Sequence, residues 1–221
     1  MKFALVDNIS TEAAPGLKAL CPCCRAPVIA KCGDIKIWHW AHLNADCDPW
    51  HEPETEWHRA WKNAFPKECQ EIAVQNHRAD VIYRNHVFEF QHSSISQQEI
   101  YEREMFWLNQ FDQMFWIIDA SEFANNFDLR VKKNFGYWKI VSFRWKYPRK
   151  TWWDINANLA IDLGDNILEI KKLYSNTPCG GWGNLYQKKY YHERLDQLIN
   201  YNESIQNRDQ IFRASTNLNI D

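Results

Sequence analysis

A chain of 221 residues and 26.4 kDa suits one full domain plus a smaller one, and it can bury a core without covalent staples. Hydrophobic content of 45% and charged content of 24% exclude a disordered polyelectrolyte. A net charge of -2 neither requires nor excludes a polyanionic partner, because the distribution of charge decides that. No apolar run approaches the roughly 20 residues that span a bilayer, and the N-terminal stretch lacks the apolar core of an export signal. A cytoplasmic location with no membrane contact is the expectation. Twelve Trp residues stand out. Most are expected in the core, with a minority role as stacking platforms for bases.

Phe3 to Asp7 reads as a short strand, followed by a polar link through Pro15 and Gly16. Cys21 opens CPCCRAPVIAKCGDIKIWHWAH, which reads as a knuckle, a hairpin turning at Gly33-Asp34, and a return leg from Ile35 to Trp40. This unit is too small for an apolar core of its own, and such units usually need a metal. Cys21 and Cys24 on one leg with His39 and His42 on the other make a workable tetrahedral zinc set. Cys32 or Cys47 can replace one of the histidines. Without an export signal, this cysteine cluster fits metal binding in a reducing compartment better than disulfides.

In HEPETEWHRAWKNAFPKE, the residues Glu54, Trp57, His58, Trp61, Lys62 and Phe65 recur at three- and four-residue steps. They predict a helix face that mixes apolar and ionisable groups, with Pro53 in its first turn and Pro66 beyond its end. Ionisable groups on such a face are costly to bury without partners. A strand over Glu71 to Gln75 follows. Ala79 to Tyr83, a turn at Arg84-Asn85-His86 and Val87 to Gln91 then form a hairpin. The two-residue period sends Phe88 and Phe90 one way and Val87, Glu89 and Gln91 the other. Asp80 on the partner strand approaches Glu89.

Ser96 and Glu99 have capping-box spacing for a helix reaching Trp107, and Phe115 to Asp119 reads as a buried strand. From Leu129 to Trp153 there are eight Lys or Arg residues and no acid. That segment contains a strand over Gly136 to Phe143 and offers a surface for a polyanion. Ile161 to Lys172 reads as a hairpin. The glycines of CGGWG at 179–183 read as a loop, and a last helix is expected from Leu185 to Asn200, before a polar tail. Helix after hairpin, then strand, gives an α/β class with helices covering a sheet. The divisions expected are 1–50 for an N-terminal strand and zinc knuckle, 51–130 for the core, and 131–221 for strands and a helix that complete or extend it.

Hydrolysis of a phosphodiester needs a deprotonated attacking oxygen and compensation of charge on the phosphoryl group. A divalent cation serves both needs. Mg²⁺ or Mn²⁺ takes hard oxygen ligands, which Asp80, Glu89 and Glu54 supply, with the Phe90 carbonyl as a further candidate. Gln91 is no base, but it can orient water or hold a phosphate oxygen. His58 and Lys62 can add a charge or a hydrogen bond. Taken alone, an acid-x-amide triplet on a strand is unremarkable, and Asp80 with the preceding helix gives it weight.

The segments RADVIY and FEFQHSSIS, with Arg103 after them, resemble the competence-protein CoiA-like nucleases of the PD-(D/E)xK, restriction-endonuclease-like superfamily. CPCC…HWAH, ETEWH…K, IDLGDNILEIKKLY and GWGNL extend the resemblance over nearly the whole chain. It implies a restriction-endonuclease-like core, a mixed sheet flanked by helices, with a small N-terminal zinc knuckle. It places active-site acids on Glu54, Asp80 and Glu89, helpers on His58 and Lys62, and Gln91 where the superfamily often has lysine. It also places structural Zn²⁺ on Cys21, Cys24, His39 and His42. A Mg²⁺-dependent deoxyribonuclease acting in DNA uptake, processing or defence is implied, with DNA contacted in part by residues 130–150. A DNA-processing protein is a further implied partner. An inactive nucleic-acid-binding module of the same fold is the alternative.

Overall fold

The computed structural model describes residues 1–44, 47–50, 52–174, 180–197 and 199–200. The first 42 residues form a five-stranded antiparallel sheet in the order β2-β1-β3-β4-β5. Its strands are β1 (Phe3–Val6), β2 (Ile9–Glu12), β3 (Lys18–Leu20), β4 (Pro27–Lys31) and β5 (His39–His42). The sequence pattern shows the first strand and a hairpin, but its return strand is His39–His42 rather than Ile35 to Trp40, since Ile35 is solvent-exposed and pairing with β4 starts at His39. It misses β2 and β3, whose short polar segments gain their pairing from neighbours rather than from periodicity. Asp7 and Asn8, both at positive φ (49° and 64°), make the tight turn between β1 and β2.

Helix α1 (Glu56–Asn63) is shorter than its sequence pattern suggests. Thr55 caps it by accepting from the His58 backbone N–H at 3.3 Å, so Pro53 and Glu54 precede the helix. The strands β6 (Gln70–Val74), β7 (His77–Tyr83) and β8 (His86–Gln91) follow. Arg84 and Asn85 both take positive φ (47° and 60°), as a two-residue hairpin with the native twist requires. Ser96 caps α2 (Gln97–Leu108) through the Glu99 N–H at 3.1 Å, as the capping-box spacing predicts. The helix connects β8 to the parallel strand β9 (Gln113–Asp119). The remaining strands are β10 (Phe127–Asn134), β11 (Trp138–Trp145), β12 (Asn158–Asp162), β13 (Asn166–Leu173) and β14 (Gly180–Gln187).

Among the described residues, the nine strands from β6 onward lie in one sheet, ordered β10-β11-β14-β13-β12-β9-β8-β7-β6. The neighbours β8, β9 and β12 are parallel and the other pairs antiparallel. The mixed sheet with covering helices is the α/β arrangement expected. One face carries α1, where Trp61 and Phe65 pack on Phe88, Phe90 and Phe115. The other carries α2, where Ile100 and Trp107 meet Val87, Trp116 and Ile118. The division of Phe88 and Phe90 from Val87 follows the two-residue period, although all six residues of β8 are buried. The fully buried Asp162 fastens α1 to the sheet. Its Oδ2 accepts from the indole N–H groups of Trp57 and Trp61, both at 2.9 Å, and from Lys188 Nζ at 2.6 Å.

Strand β14 overturns two expectations. Residues 180–183 are strand rather than loop, and Leu185 lies inside that strand, which runs to Gln187, rather than starting a helix. Helical structure begins instead with a 3-10 turn at Lys188–Tyr190 and continues as helix from 191. The glycines that suggest a loop allow strands to approach closely: a Cβ on Gly181 would sit 2.1 Å from the Lys172 carbonyl, and one on Gly183 2.3 Å from that of Glu169. Gly183→Ala is therefore expected to destabilise the protein by about 1–3 kcal/mol in urea unfolding. Cys179 and the polar tail from 201 lie outside the described residues.

Candidate active site and cysteine cluster

The hairpin register pairs Val81 with Phe88, which sets Asp80 across from Glu89 at the next position. Asp80 Oδ2 accepts from the Phe90 N–H at 2.9 Å, fixing the carboxylate, while Oδ1 lies 3.0 Å from Lys62 Nζ. Lys62 comes from the last turn of α1 and is almost wholly buried. Its ammonium also donates to Glu54 Oε2 at 2.8 Å and to Glu71 Oε1 at 2.9 Å. Burial alone would lower its pKa; the charges of Asp80, Glu71 and Glu54 reverse this and hold it well above the ordinary lysine value.

Glu71 is the member of this group that the sequence reading missed. In QEIAV it alternates with Ile72 and reads as a solvated strand position. Its backbone takes positive φ (52°), an uncommon conformation for a non-glycine residue. The carboxylate accepts from the Lys2 N–H at 2.9 and 2.8 Å and from the Phe3 N–H at 2.9 Å, so it ties β1 of the small sheet to Lys62. Burial opposes its charge, but Lys62 and Arg78 outweigh that and hold it well below the usual carboxylate range.

Glu89 is in the opposite state. Burial, and then the charge of Asp80, push its pKa up to about 8, although Arg103 Nη1 lies 3.3 Å from its Oε2. Arg103 projects from α2 and shares its guanidinium with the Trp50 carbonyl and Glu99. Gln91, buried beside it on β8, donates to the Ser93 carbonyl at 3.2 Å. Its Oε1 has no hydrogen-bond partner among the described residues. An open buried acceptor is costly, and it suits the positioning of a water or a phosphate-bound donor.

His58 does not face Asp80 or Glu89 directly. Its Nδ1 lies 2.7 Å from Thr55 Oγ1 and its Nε2 2.9 Å from Glu52 Oε2. Glu52 also accepts from the backbone N–H groups of His92 and Ser93. Burial raises its pKa, but these bonds, led by His58, bring it down to about 2. All the predicted acids, with His58 and Lys62, line one cleft of about 30 Å³, room for about one water or ion. Gln91 stands on the strand beside Glu89. Glu54 enters from the segment before α1 rather than from its face. Four carboxylates (Asp48, Glu52, Glu54, Asp80) and the raised carboxyl of Glu89 line the cleft against three obligate cations, Lys62, Arg78 and Arg103. That is an excess of negative charge in a partly enclosed space.

In the small sheet, Cys21, Cys24, His42 and Cys47 bring one ligand atom each within 4.8 Å of one another. Cys21 Sγ and Cys47 Sγ are 3.7 Å apart, and Cys24 Sγ and His42 Nε2 are 3.4 Å apart. The edge of a tetrahedron with Zn–S of about 2.3 Å is about 3.8 Å. The cluster thus has the donors and spacing of a zinc site. Of the alternatives the sequence offers, the cluster brings in Cys47 rather than His39, whose Nδ1 lies 2.8 Å from the Ile37 carbonyl. The reason lies in β5. Its alternation points His39 and His42 to different sides, because the two are three residues apart in a strand. Cys23 and Cys32 stay outside the four.

A mixed sheet with an acid-lined cleft at its hairpin thus follows a small sheet whose Cys₃His cluster could hold a zinc ion. The family models for the competence protein CoiA N-terminal domain and the competence protein CoiA nuclease-like domain match residues 11–49 and 59–149. Together they cover more than half of the chain, which belongs to the CoiA family. No curated protein and no solved structure matches it. No helix among the described residues is long and apolar enough to cross a membrane.

Proposed function

We propose that the chain is a metal-dependent deoxyribonuclease of restriction-endonuclease-like core, with Asp80, Glu89 and Glu54 as ligands of Mg²⁺ or Mn²⁺. The supporting observation is Glu89, a buried carboxyl held near 8 by burial and by Asp80. An adjacent cation would remove both obstacles to its ionisation, and hard oxygen donors select a divalent ion such as Mg²⁺ or Mn²⁺. When bound, the ion supplies charge compensation at the phosphoryl group and acidifies water. The protein's own residues do the rest. Asp80 is oriented by the Phe90 N–H, Lys62 holds Asp80 and Glu54 in place, and the open Gln91 Oε1 can accept from the attacking water. His58, anchored between Glu52 and Thr55, keeps the entry segment closed on the cleft. Arg130, Lys132, Lys133, Arg144 and Lys146 are exposed on or beside the β10–β11 hairpin and suit the DNA backbone. DNA uptake, processing or defence remains the setting proposed, in the cytoplasm.

A second reading rests on Lys62. Its ammonium already lies 2.8 Å from Glu54 and 3.0 Å from Asp80 and can serve as a built-in cation for an inactive nucleic-acid-binding module. Incubation of DNA with the protein in Mg²⁺, Mn²⁺ or EDTA separates the two. Products that appear with Mg²⁺ or Mn²⁺ and vanish with EDTA support the nuclease, whereas salt-sensitive retention without products supports the module.

Zinc in the Cys₃His cluster is proposed as structural. Elemental analysis of the purified protein is expected to return about one Zn²⁺ per chain, as a single four-ligand site holds. Cys47→Ala should lose it and His39→Ala should keep it. The reverse pattern would restore His39 as the ligand.

A further inference from the structure

The carboxyl ends of the parallel strands β8, β9 and β12 open onto a second concavity, separate from the acid-lined cleft. In open α/β sheets this edge is where ligands bind. Two adjoining cavities of about 220 and 310 Å³ share Asp119, Phe123 and Arg149. Their apolar wall is aromatic. Phe123 is 50% and Tyr147 76% exposed, while Trp145 and Phe127 stack at 4.8 Å beneath them. The polar floor is built. Asp119 accepts from Ser121 N–H at 3.0 Å and Ser121 Oγ at 2.7 Å, and its Oδ2 lies 2.8 Å from His92 Nδ1. Arg149 Nη1 donates to the Ser93 carbonyl at 3.5 Å, the same carbonyl that accepts from Gln91. Ser93 also gives its backbone N–H to Glu52, which lines the acidic cleft, so the pocket and that cleft adjoin through Ser93. Lys146 and Lys150 are exposed nearby in sequence, while the exposed Glu122 lies on the lining with Arg149, so the rim carries both signs of charge.

Two solvent-facing aromatics over an aromatic floor, with a guanidinium at the mouth and lysines near it in sequence, have the chemistry of a base-stacking site with backbone contacts. We propose that this pocket takes one unpaired nucleobase of a single-stranded nucleic acid, next to the phosphate presented to Asp80 and Glu89. A paired base in a duplex is stacked and cannot enter such a pocket without leaving the helix. The inference rests on the nuclease reading for the scissile phosphate, but the pocket itself is tested without cleavage.

The experiment is fluorescence anisotropy of labelled oligothymidylate, oligouridylate and a duplex in EDTA, with the parent, Phe123→Ala, Tyr147→Ala and Arg149→Ala. Phe123 and Tyr147 are exposed, so their truncation leaves the core intact. Circular dichroism checks that it does. Stacking on one base is worth a loss of about 5- to 150-fold in single-strand affinity, with duplex affinity unchanged. Parallel loss on both oligomers, or loss on oligothymidylate alone, supports the pocket. Unchanged single-strand affinity, or an equal fall for the duplex, overturns it. If the parent cuts nothing in Mg²⁺ or Mn²⁺ while this binding pattern holds, the nuclease reading fails and the base pocket stands. If the parent cuts DNA but the aromatic variants bind every substrate as it does, the pocket fails alone.

Discussion

Lys62→Met is expected to cost the protein about 3–5 kcal/mol of stability in urea unfolding at neutral pH, the scale for removing one partner from a buried ion cluster. Methionine fills much of the same volume, so packing is a small part of that loss. What remains is Glu54, Glu71 and Asp80 without the ammonium that now lies within 3.0 Å of all three. The effect has a pH signature. Glu71 is held well below the ordinary carboxylate pKa, with Lys62 the largest influence in that direction. Its contribution is present above the unfolded value and is lost as pH falls through the folded value. Without Lys62 that contribution shrinks, so the gap between parent and variant should narrow in acid. A stability equal to that of the parent at neutral pH would mean that the ammonium does not hold the three carboxylates together.

Asp80→Asn is expected to lower Mg²⁺-dependent cleavage by more than about 100-fold, since a direct ligand should cost at least as much as the outer-shell groups that orient one. The fold should survive, because an amide oxygen can still accept from the Phe90 N–H and Lys62 keeps Glu54 and Glu71. The same substitution carries a test that needs no substrate. Burial raises the Glu89 pKa to about 8 from 4.5, and Asp80 is the next contributor. A carboxyl with a raised folded pKa binds more protons folded than unfolded. Its contribution to stability is therefore full below about 4.5 and declines as pH rises towards about 8. Removing the Asp80 charge should lower the Glu89 pKa and end this decline at lower pH. Divalent-ion affinity in the parent should rise with pH over the same window, because the ion displaces the Glu89 proton.

Much of the site was legible because its residues lie on short-range patterns. The period of β8 separates Phe88 and Phe90 from Glu89 and Gln91, and the turn at Arg84-Asn85 sets Asp80 across from Glu89. The capping box at Ser96 marks the start of α2. What the pattern cannot carry is contact between distant segments. Glu71 gains its role from backbone amides at Lys2 and Phe3, which no periodicity within QEIAV reports. Glu52 is committed to His58 and to the amides after β8, and in sequence it is one acid among several. The zinc set stays open between His39 and Cys47 in the sequence because the pattern ends the return leg at Trp40; a strand running on to His42 sends His39 and His42 to different sides. Strand β14 was hidden by its own glycines, which the sequence offers as turn residues and the sheet uses for close approach.

Asp80 and Glu89 are proposed to form a cation-requiring hydrolytic centre. The most direct test is a time course of labelled single-stranded and duplex DNA with the parent, Asp80→Asn and Glu89→Gln, each in Mg²⁺, Mn²⁺ and EDTA. Products from the parent in Mg²⁺ or Mn²⁺, none in EDTA, and almost none from either folded variant are the expected result. An Asp80→Asn protein that cuts as fast as the parent would contradict the assignment.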